Sequence, residues 1–206
     1  MNSILKPVPR TWQVNADTTI CGFEWKNNRP LALLSHANGF CASTWAPVAR
    51  LLAPHYHVVV LDARGHGASS KPDAPEGYHW QHMIDDLLHI ARQLIAEKGV
   101  PHIALVGGNS LGGVISAAAA ADAPELFQQL VMLDPPLKPN AAVMAKLGMS
   151  QPDGSASAPI PGIADMARKR KSIWPSREVA GKAWRDKPIF ANLVDEAFEN
   201  YLKETN

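Results

Sequence analysis

The apolar run Ile103-Ala104-Leu105-Val106 stops at Gly107-Gly108-Asn109-Ser110-Leu111-Gly112-Gly113, and an alanine-rich stretch follows at once. A short apolar run, then glycines, then strong helix formers predicts a buried strand, a tight turn and a helix in direct succession. Within the turn, Gly108-x-Ser110-x-Gly112 is the pattern that presents a serine as a nucleophile in a strand–turn–helix setting. A serine hydroxyl is a weak nucleophile and has to be offered to a base and a substrate together. Gly108 and Gly112 let the turn approach its neighbours closely, because neither carries a side chain. The helix then aims its first amides at an oxygen that becomes negative, and the amide of Leu111 is the natural donor. The same residues also describe a plain glycine-rich turn with a serine N-cap. The surrounding chain has to decide between the two.

Upstream, Leu31-Ala32-Leu33-Leu34-Ser35 and His57-Val58-Val59-Val60-Leu61 are continuously apolar runs of the kind buried on both faces of a sheet. The first leads into His36-Ala37-Asn38-Gly39-Phe40, and the second into Asp62-Ala63-Arg64-Gly65-His66-Gly67-Ala68-Ser69. Segments 11–14 and 18–25 read as an opening antiparallel pair. Segment 44–52 reads as a helix with Trp45, Val48, Leu51 and Leu52 on one face. Segment 78–98 reads as a long helix whose Trp80, Met83, Ile84, Leu87, Leu88, Ala91, Leu94 and Ile95 form a core stripe, ended by Gly99. After the turn at Ser110 come a helix over 111–121 and a further buried strand, Leu130-Val131-Met132-Leu133, ending at Asp134-Pro135-Pro136. Strands alternating with helices predict a mainly parallel sheet covered on both faces.

In these three loops, met in this order, the chain resembles the α/β-hydrolases. The match consists of an oxyanion-type loop at His36-Ala37-Asn38, a D-x-R-G-H-G-x-S loop at 62–69, and the turn around Ser110. The resemblance implies that Ser110 is the nucleophile and that the amides of Asn38 and Leu111 form the oxyanion hole. It assigns support of the turn to Gly108, Asn109 and Gly112, and bracing of the oxyanion loop to His36 and the 62–69 loop. Two positions depart from the family pattern: Ala37 stands where glycine is usual, and Asn109 where histidine is frequent. Asp134 occupies an acid position used by some members, and is equally readable as a strand-end aspartate capping the Pro-Pro turn.

The family's base is a histidine that comes after the nucleophile. Here all eight histidines precede Ser110. Of these, His102 starts its strand at the far end from the turn, while His36 and His66 are expected to be committed to loop bracing. The family pattern would continue with two further strands carrying an acid and the histidine, so the chain is expected to be C-terminally shortened. Its core would then end in an open strand at Leu130-Val131-Met132-Leu133, an edge that invites pairing. The covering expected there is the cap, a second copy of the chain making a homodimer, or a lost C-terminal piece.

Residues 137–206 contain no strand-like run, only helical stretches around a Pro/Gly/Ser-rich segment at 150–162. They resemble the helical cap of this family, so the expected organisation is a core over 1–136 and a cap over 137–206. Met144, Leu147, Met149, Ile173, Trp174, Trp184 and Phe190 are candidates for pocket lining, or else pack the cap on itself and on the core. The basic run Arg168-Lys169-Arg170-Lys171 reads as a solvated helix face, given a net charge of only +1. That balance argues against nucleic acid as a partner. Cys21 and Cys41 suit reduced thiols in a cytoplasmic protein. No secretory apolar core and no membrane span are expected, and no cofactor-binding motif or metal-ligand cluster is found. The expected activity is hydrolysis of carboxylic esters or related acyl compounds, with a small-molecule acyl substrate. The alternative is a non-catalytic homologue that binds a small apolar ligand or a partner protein.

Overall fold

The computed structural model describes residues 6–73, 75–136, 146, 171 and 173–204. Six strands form one sheet in the order β1-β2-β4-β3-β5-β6. These are β1 (Val8–Gln13), β2 (Thr19–Trp25), β3 (Leu31–Ser35), β4 (His57–Leu61), β5 (Leu105–Asn109) and β6 (Leu130–Leu133). The opening hairpin pairs antiparallel and lies antiparallel to β4, whereas β4, β3, β5 and β6 run parallel. No helix among the described residues is long and apolar enough to cross a membrane.

Alternation along β3 and β4 divides the core in two. Leu31, Leu33, Val59 and Leu61 face one side, where they pack with the stripe Ile84, Leu87, Leu88, Ala91 and Leu94 of α2 (Trp80–Lys98) and with Leu111 and Ile115 of α3 (Leu111–Asp122). Ala32, Leu34, Val58 and Val60 face the other, where α1 (Ala46–Leu52) covers them with Ala46 and Ala49. Period-two side chains on strands buried on both faces require this division.

Four expectations need correction. The segment at 44–52 opens as a 3-10 turn, Ala42–Trp45, and its core face is centred on alanines, with Trp45 and Leu52 packed beside them as expected. Val48 and Leu51 point outward, Leu51 at 77% exposure; small residues bring the helix close to the sheet, and that close approach decides which face is inside. Trp80 is 48% exposed because it begins α2, outside the stripe. The strand before Ser110 begins later and runs further than expected, through Gly107 and Gly108. Ladder bonds use backbone only, and they continue from Val106↔Leu130 to Asn109↔Leu133. Ile103 keeps a single bridge to Phe127.

The strand β6 itself lies where expected but is not buried. All four of its residues are 38–47% exposed. It is the last strand of the sheet, hydrogen-bonded to β5 on one side and packed under α3.

Past Pro136 the described elements are helices: α4 (Arg177–Arg185), α5 (Pro188–Ala191) and α6 (Asp195–Glu204). The Ser176 hydroxyl accepts from the Val179 amide and caps α4. Their apolar faces form a third core from Phe190, Phe198, Tyr201 and Leu202, joined by Cys41 and flanked by Phe40, Trp184 and Leu193. Trp184 and Phe190 therefore pack the helices on themselves and on the core. Ile173 is exposed, and Trp174 sets its ring edge-on to Trp184. Met144, Leu147, Met149, the segment 150–162 and residues 168–170 lie outside the described residues.

Candidate active site

The turn between β5 and α3 holds Ser110 at φ 51°, ψ −112°. Besides Asp134 it is the one non-glycine residue with positive φ among those described. A residue with a side chain keeps such a conformation only where its surroundings impose it. Here the glycines do so. A Cβ on Gly108 would sit 2.4 Å from the carbonyl oxygen of Ser35, and one on Gly112 only 2.3 Å from the same oxygen. The two glycines thus allow the turn and the first turn of α3 to lie flush against the end of β3. The Ser110 amide donates to the Leu133 carbonyl at 2.9 Å, and the Asn109 side chain donates to the same oxygen at 2.9 Å. Asn109 supports the turn from the β6 side.

The loop after β3 reaches the same place. Its residues 37–40 form a turn closed by the Phe40 amide donating to the Ala37 carbonyl at 3.0 Å, with Gly39 at φ 78°. Such a turn does not use the amide of its second residue, here Asn38. Ala37 is absent from the positive-φ residues, so its methyl group fits without strain.

Both histidines beside this loop are fully engaged. His36 is buried; its Nδ1 donates to the Ala37 carbonyl at 2.8 Å and its Nε2 accepts from the Ala63 amide at 3.0 Å. Burial, with His66 nearby, pushes its pKa down to about 3. His66 donates from Nδ1 to the Arg64 carbonyl at 3.1 Å and accepts the Gly39 amide on Nε2 at 3.0 Å. Burial lowers its pKa too. His102 is bonded to Gln128 at the start of the β5 run, the other end of the sheet.

The 62–69 loop is built on the same plan. The Asp62 carboxylate accepts from the Ala42 amide at 2.6 Å and from the Ala68 amide at 3.1 Å, and its burial raises its pKa. Arg64 donates to both oxygens of Asp86 at 2.8 and 2.7 Å, and to the Gly77 carbonyl. Asp86 is a functional partner that the loop motifs do not reveal; its signal in the sequence is a carboxylate between Ile84 and Leu87, both on the buried face of α2. Asp134 is exposed at the end of β6, directly after the carbonyl that holds Ser110 and Asn109, with φ 48°. Cys41 is buried and its thiol is pushed up to about 11, chiefly by burial; Cys21 is also a free thiol. Among the described residues no group of three His, Cys, Asp or Glu side chains is placed to hold a metal ion.

Known proteins resemble this chain. A hydrolase of (E)-2-((N-methylformamido)methylene)succinate from Acinetobacter baylyi is 28% identical over 127 residues, 62% of this chain and 45% of that protein. A fluoroacetate dehalogenase from Burkholderia is 38% identical over 108 residues, 51% of this chain and 34% of that one. The crystal structure of an E-2-(acetamidomethylene)succinate hydrolase superposes with a TM-score of 0.71 at 21% identity, covering 97% of this chain and 64% of that one. The chain thus matches less than half the length of these curated relatives. Residues 33–197, which run from β3 through Ser110 into the C-terminal helices, match the family model described as alpha/beta hydrolase fold, and the chain belongs to that family.

Proposed function

We propose that this chain is a serine hydrolase acting on carboxylic esters or related acyl compounds through an acyl-enzyme at Ser110. One observation carries the reading: Ser110 is held at φ 51° by backbone contacts that only Gly108 and Gly112 permit. Strain of about 1–3 kcal/mol is retained at such a position when function needs it. In the proposed reaction the Ser110 hydroxyl attacks the acyl carbonyl while its proton passes to a base. The carbonyl oxygen becomes negative and takes hydrogen bonds from the amides of Asn38 and Leu111. Asp134 is the candidate acid, and residues 137–206 are the candidate cap that shapes the substrate pocket over the core of 1–136. The Acinetobacter relative, a hydrolase of an N-methylformamido compound, adds carbon–nitrogen acyl bonds to the substrates worth testing.

Proton transfer is the weak step. No histidine follows Ser110, and His36 and His66 have each committed both ring nitrogens to the loops. Turnover by this chain is therefore expected to be slow, near the roughly 10³–10⁴-fold acceleration over water that a triad enzyme keeps after losing members. The same observation favours a second reading, a non-catalytic homologue that binds a small apolar ligand or a partner. Fluorophosphonate labelling of the chain beside Ser110→Ala separates the two. Labelling that vanishes in the variant is the expected result; labelling that persists in it, or binding of an apolar ligand with no labelling at all, overturns the first reading.

A further inference from the structure

The oxyanion-type loop is gripped from two sides, and the second grip comes from a distant part of the chain. On the core side, His66 takes the Gly39 amide and Asp62 takes the Ala42 amide. On the other side the Phe40 ring enters the aromatic cluster of the C-terminal helices, 5.8 Å from Phe190 and 5.4 Å from Tyr201. Phe190 and Tyr201 also lie 5.1 Å from each other, and Trp184 stacks on Phe190 at 6.0 Å. Immediately beyond Phe40 the attachment continues. Cys41 is buried in the same cluster, the Ser43 hydroxyl donates to the Asn200 carbonyl at 3.3 Å, and the Asn200 side chain donates to the Ser43 carbonyl at 3.2 Å. Arg50 on α1 pairs with Glu196 on α6.

Phe40 is not a bystander to Asn38. Its amide closes the turn that contains Asn38, so the position of Phe40 sets the plane of the turn and the direction of the Asn38 N–H. The core-side bonds hold backbone atoms of Gly39 and Ala42 but leave the Phe40 side chain to the helices. Rings separated by about 5–7 Å in tilted geometry hold one another firmly. An amide aimed at a developing charge acts only if it is preorganised, and a misplacement of about 1 Å can cost about 10²-fold in rate.

We propose that Phe190 and Tyr201 are positioning residues for the oxyanion loop, so that docking of the C-terminal helices sets the Asn38 amide through Phe40. The inference rests on the reading of Ser110 and Asn38 given above. It makes these helices a clamp on the catalytic loop in addition to any role as a cover.

The test compares Phe190→Ala with Leu202→Ala in the full chain. Leu202 belongs to the same core, and its side chain lies against Gly181 of α4. Two readouts are taken: the second-order rate of fluorophosphonate labelling at Ser110, and amide hydrogen exchange over residues 36–41, with thermal unfolding measured alongside. Phe190→Ala is expected to slow labelling about ten-fold or more and to speed exchange in 36–41, with 106–116 unchanged. Leu202→Ala is expected to lower the unfolding temperature without either effect, and Phe190→Leu to recover most of the labelling rate. Equal effects of the two alanine variants, or no change in 36–41 exchange with Phe190→Ala, overturns the clamp. If the unaltered chain is not labelled, the reading of Ser110 fails, and the exchange comparison still decides whether the helices fix the loop.

Discussion

Strands β4 and β6 are near twins in sequence, His57-Val58-Val59-Val60-Leu61 and Leu130-Val131-Met132-Leu133, and their fates are opposite. Every residue of β4 is buried, because β2 and β3 flank it and both faces of the sheet are covered there. Every residue of β6 is exposed. Composition and periodicity are the same in kind for both, so what separates them is place in the sheet order. An apolar run states what a strand can bury, and its neighbours decide what it does bury. The contrast extends to the loops. β4 ends in the densely hydrogen-bonded 62–69 loop, whereas β6 ends at the exposed Asp134.

Among truncations to alanine, the largest effect is expected where the β4 side is locked. Asp86→Ala leaves the Arg64 guanidinium buried without its carboxylate, a loss of about 3–5 kcal/mol. Urea unfolding should show this as a lower midpoint at unchanged slope. The twin strands themselves come next. Leu61→Ala removes a side chain buried against α2 and α3 and should cost about 2–5 kcal/mol. Leu133→Ala removes a half-exposed one and should cost less than about 1 kcal/mol. Similar costs for the two would break the comparison and place a cover on β6.

The loops after β3 and β4, joined through His36 and Ala63, also carry a pH signature. His36 is held neutral with a folded pKa of about 3, against about 6.5 in the unfolded chain. Above pH 6.5 both states are neutral and His36 adds no slope. Below it the unfolded state takes up a proton that the folded state refuses, so stability falls by about 1.4 kcal/mol per pH unit. Between pH 6.5 and 5 this amounts to about 2 kcal/mol, and His66 adds to it in the same direction. His36→Gln should flatten the slope over that interval by the share of one histidine. An unchanged slope would show that His36 takes up its proton as readily in the fold as in the unfolded chain, and would overturn its neutral state.

How much was legible follows the same division. Ser110, Gly108 and Gly112 could be read because turn geometry depends on local residue type, and the backbone contacts of the two glycines are local consequences. The bounds of β3, β4 and β6 were legible too, since each is an apolar run cut off by turn residues. The Asp86–Arg64 pair and the Phe40–Phe190–Tyr201 cluster were not, because both join segments remote in sequence. The outward turn of Leu51 was hidden for another reason: small alanines hold the centre of the core face beside Leu52, where hydropathy alone favours Leu51 as well. The exposure of β6 depends on what lies beside it, a fact no single strand contains.

The edge gives the smallest effect on folding and the sharpest test of the comparison. An exposed apolar strand at the edge of a sheet is a template for pairing, and we propose that β6 pairs with β6 of a second copy. Val131→Lys puts a charge on a residue that is already exposed, so the monomer should lose no more than about 0.5 kcal/mol. Sedimentation velocity over a hundred-fold range of concentration should then show a dimer for the unaltered chain and a monomer for the variant. A lysine at Val59 in β4 should instead abolish folding, since a charge there has no water to meet. If the unaltered chain stays monomeric throughout that range, β6 is not an association edge. The difference between the twins is then one of exposure alone.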